Sequence, residues 1–200
     1  MALYYHGMDR GGGGDTKPRR KSVGGSGPAR PGLSVSEEAL LRAIFGSGAE
    51  GGKRERNVYL SFTHAYRADP IELVTVVKRG VSADSVQVLA KLMSISKERL
   101  ADTLGLAYAT LNRKSRDHKP LSSDETSRVV GMARLVGQVQ AMVEESGDID
   151  GFDAATWVAR WLEEPLPALG GRRPAELMDT PEGQSLVSNL VARLQTGAYA

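Results

Sequence analysis

The chain has 200 residues, a formal net charge of +2, 25% charged and 40% apolar residues, and no cysteine. That is an ordinary globular balance for one or two domains, and the missing thiols exclude a disulfide framework and thiolate zinc sites and suit a reducing cytoplasm. No apolar run approaches the roughly 18–20 residues of a membrane span, the N-terminus has no signal-peptide core, and so small a charge leaves any affinity for nucleic acid to local clustering.

Residues 1–33 read as a disordered tail. Gly11 to Gly14 is a glycine run, and Lys17, Arg19, Arg20 and Lys21 cluster without apolar periodicity. Such a segment cannot bury enough surface to offset its ordering entropy. It reads as a solubilising tail, or as an over-extended start with Met8 as the initiator, ahead of a basic arm attracted to phosphate. Ser34 and Glu37 have capping-box spacing, and Leu40, Leu41, Ile44 and Phe45 follow as an apolar stripe. Asn57 to His64 alternates weakly, and its period does not separate strand from helix.

From Asp69 the pattern is helical. Asp69 and Pro70 suit an N-cap and a first helical residue. Ile71, Val74 and Val77 are expected on the buried face, and Gly80 closes the helix. Ser82 opens another, with Val86, Leu89, Ala90 and Met93 on one side.

Lys97 to Arg116 then reads as helix, tight turn, helix. Leu100 and Leu104 share a face, and Gly105 ends the first helix. Leu106 and Leu111 resume the apolar pattern, and the small Ala101 stands four residues before the glycine, where two steeply crossed helices touch. This is the spacing of a DNA-binding helix-turn-helix. The bland alternative is a helical hairpin whose glycine is only a C-cap. On the second helix Tyr108, Thr110, Asn112, Arg113 and Arg116 lie away from Leu111, and these side-chain types reach base edges and phosphates. Lys114 stands where a second apolar anchor belongs. The helix is therefore expected to be short or shifted, which favours Asn112 and Arg113 over Arg116 for base contact.

Ser122 and Glu125 form another capping-box pair before a long helix with Val129, Met132, Ala133, Val136 and Val143 on one face. At 1.5 Å per residue it spans roughly 35 Å, and it is expected to connect two halves. Asp153 caps a short helix carrying Trp157 and Trp161, beside Val158 and Leu162. The tryptophans suit either core or an interface anchor. Pro165 and Pro167 break that helix. Thr180 and Pro181 begin the last one, with Leu186, Val187, Leu190, Val191 and Leu194 as its apolar face.

The C-terminal run WLEEPLPALGGRRPAELMDTPEGQSLVSNLVARLQTGAYA resembles the toxin-binding domain of the Xre/MbcA/ParS antitoxins. The matching residues are Trp161 and Leu162, Pro165 and Pro167, Ala168 to Gly171, Pro174, Leu177, Thr180, Gly183, and Gly197 with Tyr199. Met178 replaces the second leucine of the family's pair. The resemblance extends back to about residue 70, because the family places an Xre-like helix-turn-helix upstream.

Together with the residue patterns, which alone speak for the first 65 residues, it implies an all-α chain in five parts: the tail 1–33, a helical extension 34–68, a helix-turn-helix domain 69–121, a connecting helix 122–146 and a toxin-binding domain 147–200. It implies a type II antitoxin whose partner is a toxin with a RES domain, which consumes NAD or uses it to ADP-ribosylate. The C-terminal domain would occlude the toxin's pocket, and a homodimer on operator DNA would repress the operon. A RES-domain gene is expected directly downstream. The toxin-contacting residues implied are Trp157, Trp161, Leu169, Gly170, Gly171, Arg172, Arg173, Arg193, Gly197, Tyr199 and Ala200. The glycines suit close backbone approach, and Arg172 and Arg173 suit carboxylates at a pocket mouth. Gly197 to Ala200 would enter the cleft as a plug.

No enzyme, cofactor or metal is expected. His6, His64 and His118 lack metal-ligand spacing, and neither a P-loop nor a dinucleotide fingerprint is present. The alternative is a stand-alone helix-turn-helix regulator whose C-terminal domain binds a ligand or mediates oligomerisation.

Overall fold

Short polar side chains decide where most of the helices begin. A computed structural model describes residues 62–147 and 151–195, and among them are eight α-helices and no strand. The stripe at Leu40 to Phe45, and Asn57 to Ser61, lie outside the described residues, and Phe62 opens a helix, α1 (Phe62–Arg67). In α2 (Pro70–Arg79) the Asp69 carboxylate accepts from the Ile71 amide at 2.7 Å, with Pro70 in the first turn. α3 (Asp84–Leu92) starts without a side-chain cap. α4 (Lys97–Thr103) is capped by Ser96, whose hydroxyl accepts from the Arg99 amide at 3.1 Å. α5 (Tyr108–Arg116) follows. α6 (Ser123–Ser146) opens on a complete capping box between Ser122 and Glu125. α7 (Ala154–Trp161) is capped by Asp153, and in α8 (Pro181–Gln195) the Thr180 hydroxyl accepts from the Gly183 amide. Between α7 and α8 lie two 3-10 turns, Pro167–Leu169 and Pro174–Leu177.

The expected connecting helix is the axis of the fold. α1, α2, α7 and α8 all pack on α6, and one continuous core runs from Val86 and Leu100 through Met132 and Val136 to Trp161 and Val191. The reason lies in its sequence. Val130, Leu135 and Val139 are buried as well as the expected Val129, Met132 and Val136, so the helix is apolar on more than one side and needs cover on each. Its glycines are contact notches. A Cβ on Gly137 would lie 1.8 Å from the Phe62 carbonyl oxygen, so α1 sits directly on the α6 backbone there. At Gly131 the Gln184 side chain fills the notch and its amide donates to the carbonyls of Arg128 and Met178 at 3.0 and 2.9 Å. One turn further along α8, Ser188 and the buried Gln138 exchange two hydrogen bonds, at 2.7 and 3.0 Å. The α6–α8 seam is thus keyed by polar pairs whose partners are all satisfied.

Two expected faces are corrected. Ile71 is 74% exposed and Val74 48%, whereas Val76 is buried. α2 is apolar at Ile71, Leu73, Val74, Val76 and Val77, so its period does not select an inward face; packing on α6 does. Likewise Leu186 is 45% exposed while Val187, Leu190 and Val191 are buried. The expected stripe of α8 was one residue too wide.

Candidate functional site

The turn between α4 and α5 is built from backbone hydrogen bonds that close over a small side chain. The Leu106 amide donates to the Ala101 carbonyl at 2.8 Å and the Gly105 amide to the Asp102 carbonyl at 3.0 Å. This is a Schellman ending, with Gly105 in the left-handed region at φ 59°. Ala101, Leu100 and Leu104 are fully buried, with Leu106 and Leu111 nearly so. A Cβ on Gly105 would lie 2.9 Å from the Asp179 Cβ, so close approach as well as φ requires glycine. Arg128 of α6 fastens this turn. Its Nη1 donates to the Leu104 and Gly105 carbonyls, both at 2.8 Å, and its Nη2 to Asp124 at 2.6 Å. Sequence reasoning missed Arg128. The Asp124–Arg128 spacing of i, i+4 was the available signal, but it marks only a helix pair and not the carbonyls across the fold.

Along α5 the sequence-predicted residues divide by what they already hold. Leu111 faces inward, and Arg113 and Arg116 are exposed. Arg113 makes no ion pair or hydrogen bond through its side chain with any described residue, and Arg116 lies 3.6 Å from its neighbour Asp117. Asn112 accepts from the Lys97 ammonium at 2.8 Å, leaving its amide nitrogen for another acceptor. Thr110 is half-buried. The Tyr108 hydroxyl donates to Glu98, and the Lys97 ammonium sits 5.8 Å from the centre of its ring. Tyr108 therefore braces α5 against α4. Its hydroxyl, followed by the backbone amide and Ser96, holds the Glu98 carboxyl below its usual range.

Lys114 does not shorten or shift the helix, which runs on to Arg116. Its ammonium pairs with Glu125 of the α6 capping box, and the two side chains are only 19% and 18% exposed. An ion pair thus takes the place of the apolar anchor. Burial pushes the Glu125 carboxyl up, but hydrogen bonds from Lys114 and Ser122 outweigh it and leave it below the ordinary carboxylate value.

The second surface surrounds the loop after α7. Leu166 and Arg172 pair across it: the Leu166 amide donates to the Arg172 carbonyl, and the Gly171 amide to the Leu166 carbonyl, both at 3.0 Å. Gly170 and Gly171 have φ of 66° and 82°, and nothing lies within 4 Å of a Cβ on either. Here glycine is required by the backbone and leaves it bare to solvent. Leu169 is half-buried beneath the loop, and Arg172 is exposed. Arg173 is engaged, reaching Glu163 at 3.1 Å and Glu176 at 3.0 Å; its hydrogen bond holds the Glu176 carboxyl below its usual range. Glu163 also pairs with Arg99 of α4, so this loop is tied back to the helix-turn-helix.

The tryptophans separate. Trp161 is buried at 7% exposure and belongs to the core. Trp157 stacks on it at 5.8 Å between ring centres and meets the exposed Phe152 at 6.3 Å, so Trp157 and Phe152 form the accessible part of the cluster. Arg193 is exposed on α8. Gly197, Tyr199 and Ala200 lie outside the described residues. No group of three or more His, Asp or Glu side chains able to hold a metal occurs among the described residues, and no helix there is long and apolar enough to cross a membrane.

Comparison with known proteins matches both halves of the chain to domain families. Residues 72–134 match the antitoxin Xre-like helix-turn-helix domain, and residues 149–197 match the antitoxin Xre/MbcA/ParS C-terminal toxin-binding domain. A protein of Sphingobium sp. (strain YBL2) described as a Prs ADP-ribosylating antitoxin is 42% identical over 154 residues, 77% of this chain and 97% of the relative. An antitoxin Xre of Yersinia enterocolitica (serotype O:8 / biotype 1B) is 28% identical over 128 residues, 64% of this chain and 81% of that one. With a helix-turn-helix, a toxin-binding domain and relatives that are antitoxins rather than enzymes, the chain belongs to the Xre/MbcA/ParS antitoxin family.

Proposed function

We propose that this chain neutralises a RES-domain toxin in the cytoplasm and, as a homodimer on operator DNA, represses its own operon. The observation that carries the toxin-binding half is the loop Leu166–Arg172, whose two left-handed glycines leave backbone uncovered beside the exposed Arg172. Such a loop lets a partner approach the main chain closely while a guanidinium meets a carboxylate at the pocket mouth. Phe152 and Trp157 add an apolar anchor of the kind enriched at interface centres. The name of the Sphingobium relative connects that protein with ADP-ribosylation, a reaction that draws on NAD and so fits a toxin with a nicotinamide-dinucleotide pocket. Residues 197–200 would enter that pocket and exclude the dinucleotide.

The DNA-binding half rests on α5, where Arg113 and the free amide of Asn112 face outward and Arg116 follows one turn on. Arginine reads guanine and asparagine adenine in the major groove. The test is co-expression with the RES-domain protein encoded downstream. The two are expected to co-purify, and the chain to restore growth. A toxin that stays lethal and unbound would sink the reading.

A further inference from the structure

Asn112, in the middle of α5, has one side-chain hydrogen-bond partner among the described residues, and that partner decides which way its amide points. The Lys97 ammonium, at the start of α4, lies 2.8 Å from Asn112 Oδ1. An ammonium carries donors and no acceptor, so the amide oxygen must turn toward it, and the two N–H donors of Nδ2 point elsewhere. Lys97 is itself held in place. Its ammonium sits 5.8 Å from the centre of the Tyr108 ring, a cation–π distance, and the Tyr108 hydroxyl is tied to Glu98, the next residue of α4. Tyr108 and Asn112 are four apart on α5 and share a face. Lys97 is half-buried against that face, while Asn112 is exposed. The helix-turn-helix thus brings a fixed cation and an oriented amide to one patch of α5.

We infer that Lys97 sets the base that Asn112 reads, turning it from adenine to guanine. The inference rests on the operator-binding reading of α5 above and deepens it to a base preference. Asparagine reads adenine with both ends of its amide: the oxygen accepts from the N6 amino group and the nitrogen donates to N7. Here the oxygen already accepts from Lys97. Its second lone pair lies beside a positive charge, so an adenine amino group approaching it would bring its own positively polarised hydrogens against the ammonium. Guanine meets no such conflict. Its major-groove edge presents two acceptors, N7 and O6, and no donor. The patch offers donors to both, from Asn112 Nδ2 and from the remaining N–H groups of Lys97. Thymine presents a single acceptor and cytosine only a donor, so neither matches the pair as well. A lysine left free would turn to the nearest phosphate and carry no sequence information. The Tyr108 ring and the Asn112 amide hold this one against the reading side chain.

The test is selection of bound sequences from a randomised duplex library. Mobility shifts follow on the selected site, with each of the four base pairs at the position that Asn112→Ala leaves unread. Wild type is expected to favour guanine over adenine there by about tenfold, and Lys97→Arg, which keeps a donor-only cation, to keep that choice. Lys97→Met keeps an unbranched stem beside the Tyr108 ring but frees the amide oxygen. Adenine should then win by about ten- to a hundredfold, the worth of a bidentate pair. In an Asn112→Ala background Lys97→Met should leave the base preference unchanged. A wild type that favours adenine at that position, or a Lys97→Met chain that still favours guanine, overturns the assignment. So does a Lys97→Met chain weakened equally on all four base pairs with a shallower salt dependence, because that marks a phosphate contact. If Asn112→Ala relaxes no position, Asn112 reads no base and the assignment falls, with operator binding through Arg113 left standing. A wild-type chain that selects no sequence removes the operator-binding reading itself.

Discussion

At the scale of single residues, the helix-turn-helix is held by side chains whose roles are not local. Arg128 caps two carbonyls at the end of α4 from a different helix, with only 13% of its side chain exposed. Arg128→Ala is expected to cost about 1.5–3 kcal/mol, the range for hydrogen bonds to a charged group, read as a lower urea midpoint; a change within experimental error would show the clamp to be idle. His118, after α5, holds a left-handed φ of 51°. That conformation costs a non-glycine residue about 1–2 kcal/mol, partly offset by the greater unfolded-state freedom of glycine. His118→Gly should therefore raise the thermal midpoint slightly. Glu125 has a pH signature. Burial raises its pKa, Lys114 and Ser122 lower it further, and the net folded value lies below the ordinary one. A depressed carboxylate stabilises the fold above its unfolded pKa, and the contribution is lost as pH falls through the folded value. Thermal midpoints taken from neutral to acid pH should fall on the acid side, and Glu125→Gln should flatten that limb while lowering stability at neutral pH.

At the scale of elements, what was legible was whatever depends on neighbours in sequence. Asp69, Ser122, Asp153 and Thr180 cap helices where their types and spacing indicate, and the turn at Gly105 closes over Ala101 as its spacing requires. The inward face of α2 was not legible, because its residues are apolar on several sides and only packing on α6 chooses among them. Lys114 looked like a defect because its partner Glu125 lies on another helix. The polar keys Gln138–Ser188 and Gln184 were hidden for the same reason. Gly137 tests how firmly α1 belongs to the fold. With the Phe62 carbonyl 1.8 Å from the position of a new Cβ, backbone must move, and Gly137→Ala should destabilise by about 1–3 kcal/mol as overpacking does. On the recognition helix, Arg113→Ala should weaken specific operator binding by about 1–3 kcal/mol and relax the preference at one base pair. A loss equal on all sequences, with a shallower salt dependence, would instead mark a phosphate contact.

At the scale of the whole molecule, the two surfaces share one core. α6 carries both, Glu163 pairs with α4 on one side and the loop on the other, and Asp179 touches the turn at Gly105. The C-terminal surface was legible only through the family's WL, ALGG and Thr-Gly pattern, since the glycines and arginines alone read as a tight turn and a solvated face. Which side chains of that domain face outward needed the fold: Trp161 is core, Arg173 is committed to Glu163 and Glu176, and Trp157, Phe152 and Arg172 remain.

The most direct measurement titrates the purified chain into the RES-domain toxin proposed as its partner while NAD turnover is followed. Occlusion of the pocket predicts that turnover falls to baseline at one antitoxin site per toxin. A chain lacking residues 197–200 should still bind, through α7 and the loop Leu166–Arg172, yet leave turnover substantially intact. Full NAD turnover in a complex saturated with the intact chain would contradict neutralisation by occlusion.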